Sequence, residues 1–154
     1  MKNPSDPDKE TFSETMIKIL NYGALNLAMA IGYRTGLFDA MDLFDSPQTV
    51  NAIAKKTGLN SRYIEEWLGI MVTGRIVEMS RSPEGNNLFF LPKHRADFIT
   101  RRAGASNLGV YTQEMPLLTV SAMDSVIRGF KTGAGVSYDH YPTFQRFMSQ
   151  LADA

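Results

Sequence analysis

A mainly α fold carrying one small β-hairpin is predicted by three features of the sequence. Met16 to Ile31 is a long apolar stretch that reads as a single helix. Thr49 to Val72 holds two shorter stretches with apolar residues at helical spacing, separated by Gly58-Leu59-Asn60. Immediately afterwards, Ile76–Met79 and Leu88–Leu91 flank the polar turn Ser80–Asn87, the pattern of a hairpin. A helix-turn-helix followed by a hairpin is a winged helix-turn-helix, here with a long N-terminal helix and further C-terminal helices.

Each element has a local reason. Residues 1–12 read as a loose acidic arm, and Ser13 is expected to cap the first helix, with Glu14 suited to its positive end. Met16, Ile17, Ile19, Leu20, Leu25, Leu27, Met29 and Ile31 cover more than one face of that helix, so it must be buried on most sides. Two readings stand: a central core helix, or one that turns a face to a second subunit. Gly36 to Met41 is a short helix or turn. Asp39, Asp42 and Asp45 lack the loop glycine and closing Glu of a calcium site and read as a solvated face plus a cap.

Thr49 is placed to cap the next helix, whose Val50, Ile53 and Ala54 form an apolar stripe, and Gly58 suits its left-handed end. Asn60 then caps a helix on which Ile64, Trp67, Leu68, Met71 and Val72 share one face, with Trp67 as the core anchor. Pro92 ends the second strand, and Lys93–Arg102 reads as a short amphipathic helix. Asn107–Phe130 reads as helical with a break or fresh start at Pro116. Gly129, Gly133 and Gly135 mark a flexible turn. Pro142 suits the first turn of a last helix carrying Phe144, Phe147, Met148 and Leu151 on one face, and that helix reaches Ala154 without a capping residue.

Composition narrows the chemistry. The chain has 154 residues, which suits one domain, and 16 basic residues balance 16 acidic ones, so no net field draws it to nucleic acid or an anionic membrane. It contains no Cys, which removes disulfides, thiol nucleophiles and thiolate metal sites together. Only His94 and His140 offer imidazoles, and they lack the H-E-x-x-H spacing of a zinc site. There is no G-x-S-x-G elbow. Lys-Thr-Gly occurs at Lys56–Gly58 and Lys131–Gly133 without the S-x-x-K partner that would give it meaning. Gly133-Ala134-Gly135 matches neither a P-loop nor a dinucleotide fingerprint. No catalytic, cofactor-binding or metal-binding residue is therefore assigned. The acidic N-terminus is unlike a secretory signal, and the Met16–Ile31 stretch falls short of the ~20 residues of a membrane span. A cytoplasmic protein is expected.

Two surfaces remain to be weighed. On the second helix of the motif the exposed positions carry Arg62, Glu65 and Glu66, a net negative set that argues against nucleic acid, although Lys93, Arg95, Arg101 and Arg102 form a basic cluster opposed only by Asp97. Near the C-terminus Tyr138, His140, Tyr141 and Phe144 gather beside a glycine-rich bend, with Tyr111 and Met115 on the preceding helix. Aromatic and thioether walls with a few polar tips suit a small apolar substrate. The alternative is packing of the last helix onto the first; Phe147 and Met148 fit that role, whereas Tyr138, His140 and Tyr141 fit either.

The order of these segments also carries a resemblance. Gly36-Leu37-Phe38-Asp39-Ala40-Met41 is followed by Thr49, Ile53-Ala54, Gly58-Leu59 and Arg62-Tyr63. Trp67-Leu68, Gly74-Arg75-Ile76-Val77 and a hairpin come next. This arrangement resembles the N-terminal winged-helix domain of small-molecule S-adenosylmethionine-dependent methyltransferases, the O-methyltransferases among them. Gly135-Val136-Ser137-Tyr138 and Tyr141-Pro142-Thr143-Phe144 resemble the linker to the catalytic domain of bacterial members. The resemblance implies a winged-helix domain over residues 13–102 and a helical linker over 103–154. It further implies a homodimer through the Met16–Ile31 helix and a role in roofing a small-molecule pocket. S-adenosylmethionine would bind a following Rossmann-like domain and not this chain, leaving a fragment or relic that is inert alone. A DNA-binding transcriptional regulator is the alternative that the same fold allows.

Overall fold

A computed structural model describes residues 7–141 and 144–152. The fold is mainly α, with one two-stranded antiparallel sheet among the described residues. Helix α1 runs from Pro7 to Thr35 and therefore begins well before Ser13, which lies inside it. Residues 7–12 of the expected loose arm are helical. Further along, the Thr15 hydroxyl donates back to the Thr11 carbonyl at 3.0 Å, a bond that lets a threonine sit within the helix.

Gly36, at φ 74°, ends α1 in the left-handed region and turns the chain into α2 (Leu37–Asp42). Helix α3 (Val50–Thr57) opens on Thr49, whose hydroxyl accepts from the Ala52 amide at 3.2 Å, and closes on left-handed Gly58. Helix α4 (Ser61–Thr73) opens on Asn60, whose side chain accepts from the Arg62 amide at 3.0 Å. All three caps are the ones their residue types predict.

The wing begins two residues later than its apolar pattern implies. Strand β1 is Glu78–Arg81 and pairs with β2 (Asn87–Phe90), Glu78 opposite Phe90 and Arg81 opposite Asn87. Ile76 and Val77 instead leave α4: both amides donate to the Met71 carbonyl, at 2.8 and 3.2 Å, and Val77 is buried. Outside the hairpin, Gln48 and Phe89 exchange backbone hydrogen bonds at 2.8 Å, tying the segment before α3 to the outer edge of β2.

After Pro92 come α5 (Lys93–Ile99), a 3-10 stretch (Arg101–Ser106), a 3-10 turn (Gly109–Gln113), α6 (Glu114–Ser121) and α7 (Met123–Thr132). The break in the expected Asn107–Phe130 helix falls at Ala122. Pro116 sits in the first turn of α6, where its missing N–H removes no intrahelical bond. Gly129 is within α7, and the left-handed residue that stops the helix is Gly133, at φ 72°. A 3-10 turn at Tyr138–His140 precedes α8 (Phe144–Ala152). The expectation for Pro142 lies outside the described residues.

The core sits between the second half of α1, α2, α3, α4 and the wing. Phe38, Met41, Ile53, Ile64, Leu68, Met71 and Leu91 are fully buried there. Trp67 is its anchor: the indole N–H donates to the Ala28 carbonyl at 2.8 Å, and the ring meets Phe38 edge-on at 5.2 Å. The approach of α1 to this ring is close. A Cβ on Gly32 would stand 2.4 Å from the indole, so only glycine fits at that crossing.

Candidate functional site

Three surfaces could carry function, and the first is the winged-helix face. Arg62, Tyr63, Glu65 and Glu66 are exposed on α4, as the sequence implies. The basic cluster behind it is not free. Arg95 pairs with Glu78 at 3.1 Å, Arg102 with Asp97 at 2.7 Å and, by two nitrogens, with Asp42. Arg101 pairs with Asp39, stacks its guanidinium over the Tyr33 ring at 4.6 Å, and donates to the Tyr33 carbonyl at 2.8 Å. Lys93 lies 3.6 Å from Asp42 and 3.7 Å from Asp45.

The reading of a solvated face is therefore corrected for Asp39 and Asp42 but holds for Asp45, which is 97% exposed, and the reading of the cations as opposed only by Asp97 is corrected as well. The fold brings α2 against α5 and the 3-10 stretch after it, joining charges some 60 positions apart in the chain. Asp42 is 6% exposed, and the hydrogen bonds from Arg102 hold its carboxyl below the usual carboxylate range, outweighing the upward push of burial. Cations already engaged by carboxylates offer little to a phosphate backbone.

The second surface holds the candidate substrate-lining residues. Tyr111 is on the 3-10 turn before α6 and Met115 on α6, both half exposed. His140 ends the 3-10 turn before α8 and is exposed, while Tyr141 is partly buried. The Gln113 amide donates to the Gln150 side chain at 2.9 Å, so the turn carrying Tyr111 lies beside α8. The side chains of Tyr138, Phe144 and Phe147 lie outside the described ones. Met148 is exposed. Met123, Ile127 and Phe130 line one exposed side of α7.

The third surface is α1 itself. Every residue from Thr11 to Tyr22 is exposed, including Phe12 at 64%, Leu20 at 66% and Tyr22 at 69%. Ala28, Ala30 and Tyr33 on the same helix are buried. The core reading holds for the second half of this helix, where Ala28, Ala30 and Tyr33 are buried, whereas its first half has no cover from the described residues of its own chain.

A winged helix-turn-helix with these surfaces defines the class. Residues 23–101 match the Rv2258c-like winged HTH domain, just over half of the chain, and the protein belongs to that family. No curated protein sequence matches it. Among solved structures it is similar to human N-acetylserotonin methyltransferase in complex with SAM, at TM-score 0.67 and 14% identity, covering 93% of this chain and 40% of that one. It is similar also to the mitomycin 7-O-methyltransferase MmcR, at TM-score 0.67 and 16% identity, covering 95% of this chain and 44% of the other. PigF with SAH follows at TM-score 0.57 and 14% identity, covering 97% and 44%. The chain thus spans less than half the length of these structures.

Of the glycines at positive φ, Gly36, Gly58 and Gly133 end helices, Gly85 turns the hairpin and Gly104 interrupts a 3-10 stretch. None among the described residues lies between a strand and a following helix, where a nucleotide-type cofactor would need it. No helix of the described residues is long and apolar enough to cross a membrane.

Proposed function

We propose that this chain is the dimerising, substrate-capping winged-helix domain of a small-molecule methyltransferase of the S-adenosylmethionine-dependent kind, with no methyl transfer of its own. The observation that carries the reading is the uncovered first half of α1. Phe12, Met16, Ile17, Ile19, Leu20 and Tyr22 on it, with Leu27 and Ile31 on the outer side of the second half, together offer on the order of 800 Å² of side-chain surface, about what one partner contributes to a standard interface. A monomer rarely leaves so large an apolar patch in water. The fold shared with O-methyltransferase structures supports the second part: Tyr111, Met115, Tyr138, His140, Tyr141 and Phe144 would line the roof of a small-molecule pocket completed by a cofactor-binding domain.

Sedimentation equilibrium of the 154-residue chain is expected to give a two-copy mass. Calorimetry with S-adenosylmethionine is expected to give no binding heat. A monomer at high micromolar concentration would reject the dimerising role, and micromolar cofactor affinity would reject the assignment of the cofactor to another domain. The regulator reading predicts salt-dependent retention of duplex DNA; the carboxylate partners of Lys93, Arg95, Arg101 and Arg102 speak against it.

A further inference from the structure

Where α1 leaves the body it passes the end of α4, and the angle between them forms an open groove with a volume of about 490 Å³, the size of a small-molecule site. Leu25 and Ile70 give it apolar walls, Asn21, Tyr22 and Arg75 are its polar lining, and no acidic residue borders it. Arg75 is its single charge. The Arg75 side chain is exposed and has neither an ion pair nor a hydrogen bond among the described residues. The next acid along the chain, Glu78, is already taken by Arg95 at 3.1 Å. The backbone here is equally unusual. The Arg75 amide donates to the Val72 carbonyl at 3.0 Å and the Ile76 amide to the Met71 carbonyl at 2.8 Å, the paired bonds that close a helix on a left-handed residue. Arg75 is that residue, at φ 60°, and is the sole non-glycine residue in the left-handed region among those described. A cation elsewhere in the last turn would gain as much from the helix dipole without that conformation. An arginine held in a costly conformation, exposed and without an acid, beside an apolar groove is a feature that ending the helix does not explain.

We propose that this groove binds a small amphipathic monocarboxylate, its carboxylate on Arg75 and its apolar body along Leu25 and Ile70. One cation balances one charge. A planar carboxylate accepts both parallel hydrogen bonds of the guanidinium fork, whereas a phosphate dianion would bring a second charge to an apolar wall with nothing to balance it. The side chains of Asn21 and Tyr22 make no hydrogen bond among the described residues, which leaves an amide and a hydroxyl to meet further oxygens of the ligand. The site stands apart from the function proposed above. At about 3.6 residues per turn, Asn21 and Leu25 lie on the side of α1 opposite Met16, Leu20 and Leu27, so the groove and the uncovered apolar face look in different directions. Binding here requires neither a second copy of the chain nor a cofactor.

Three probes separate charge from apolar contact: 4-phenylbutyrate, its neutral counterpart 4-phenylbutanol, and acetate. Calorimetry of the 154-residue chain is expected to show 4-phenylbutyrate binding at sub-millimolar concentration, with the alcohol and acetate each weaker by about tenfold or more. Amide resonances of residues 21–25 and 70–75 are expected to shift on titration with 4-phenylbutyrate, and those of the hairpin to stay in place. Arg75→Gln is expected to weaken that ligand about tenfold, while Arg75→Lys, which keeps the charge, retains most of the affinity. Circular dichroism and Trp67 fluorescence check that both variants keep their fold, and the comparison of the three probes on the wild-type chain stands without them. Absence of 4-phenylbutyrate binding at about 10 mM would overturn the proposal. So would equal affinity for the carboxylate and the alcohol, equal affinity for 4-phenylbutyrate and acetate, or resonance shifts confined to other parts of the chain.

Discussion

Helix α1 is two environments in one element. From Ala28 to Tyr33 it is threaded through the core, crossing Trp67 so closely that Gly32 cannot carry a side chain. From Thr11 to Tyr22 it stands in solvent on every side. Both halves carry large apolar side chains, and what covers those of the inner half is α2, α4 and the 3-10 turn at Gly109–Gln113. Apolar character in a sequence says that a surface wants cover. It does not say whose atoms supply it.

Substitutions in the two halves should therefore part company. The largest effect is expected at the point where the inner half is gripped: Trp67→Ala should lose about 3–5 kcal/mol in urea unfolding, combining a cavity with loss of the indole hydrogen bond to the Ala28 carbonyl. If the loss stayed below about 1 kcal/mol, the inner half would not be the anchored one. At the seam that holds α5 beneath this core, Asp42→Asn should cost about 1–3 kcal/mol at neutral pH, tempered by the half-exposed state of Arg102. The carboxyl of Asp42 titrates lower in the folded than in the unfolded chain, so its contribution is complete above the unfolded value of about 3.9 and fades as pH falls through the lower, folded value. Urea midpoints followed downward from pH 5 should fall more steeply for wild type than for the variant; parallel curves would remove Asp42 from the account. The smallest effect belongs to the outer half. Leu20→Gln, measured at protein concentrations too dilute for association, should change stability by less than about 0.5 kcal/mol. The same variant should weaken self-association at higher concentration.

The elements were legible wherever a local rule decides them. Thr49, Gly58 and Asn60 act within two or three residues of themselves, and the Trp67 stripe follows from helical spacing alone. The seam was not, because Asp39 and Asp42 meet Arg101 and Arg102 only after the chain has folded back through the entire motif. Read in order, the acids look like a wet face and the bases like an open patch, and each impression is wrong for the same reason. The start of β1 was missed because Ile76 and Val77 have strand composition but are held by the Met71 carbonyl at the end of α4. Arg75 carried no signal at all in sequence, since a left-handed arginine is visible only as a dihedral angle. Among the possible substrate-lining residues, the sequence grouped Tyr111 and Met115 with the later aromatic cluster; the Gln113–Gln150 contact puts the turn of Tyr111 beside the helix that cluster leads into.

The rung between Gln48 and Phe89 has a consequence for how this domain tolerates crowding. A bare two-stranded ribbon has two free edges, each a template for another chain's backbone. Here the outer side of β2 is already occupied at its middle by a segment of the same molecule, and the remaining edge belongs to β1, whose ends carry Glu78 and Arg81. Sheet-to-sheet adhesion between molecules is thus discouraged at one border by self-pairing and at the other by charge.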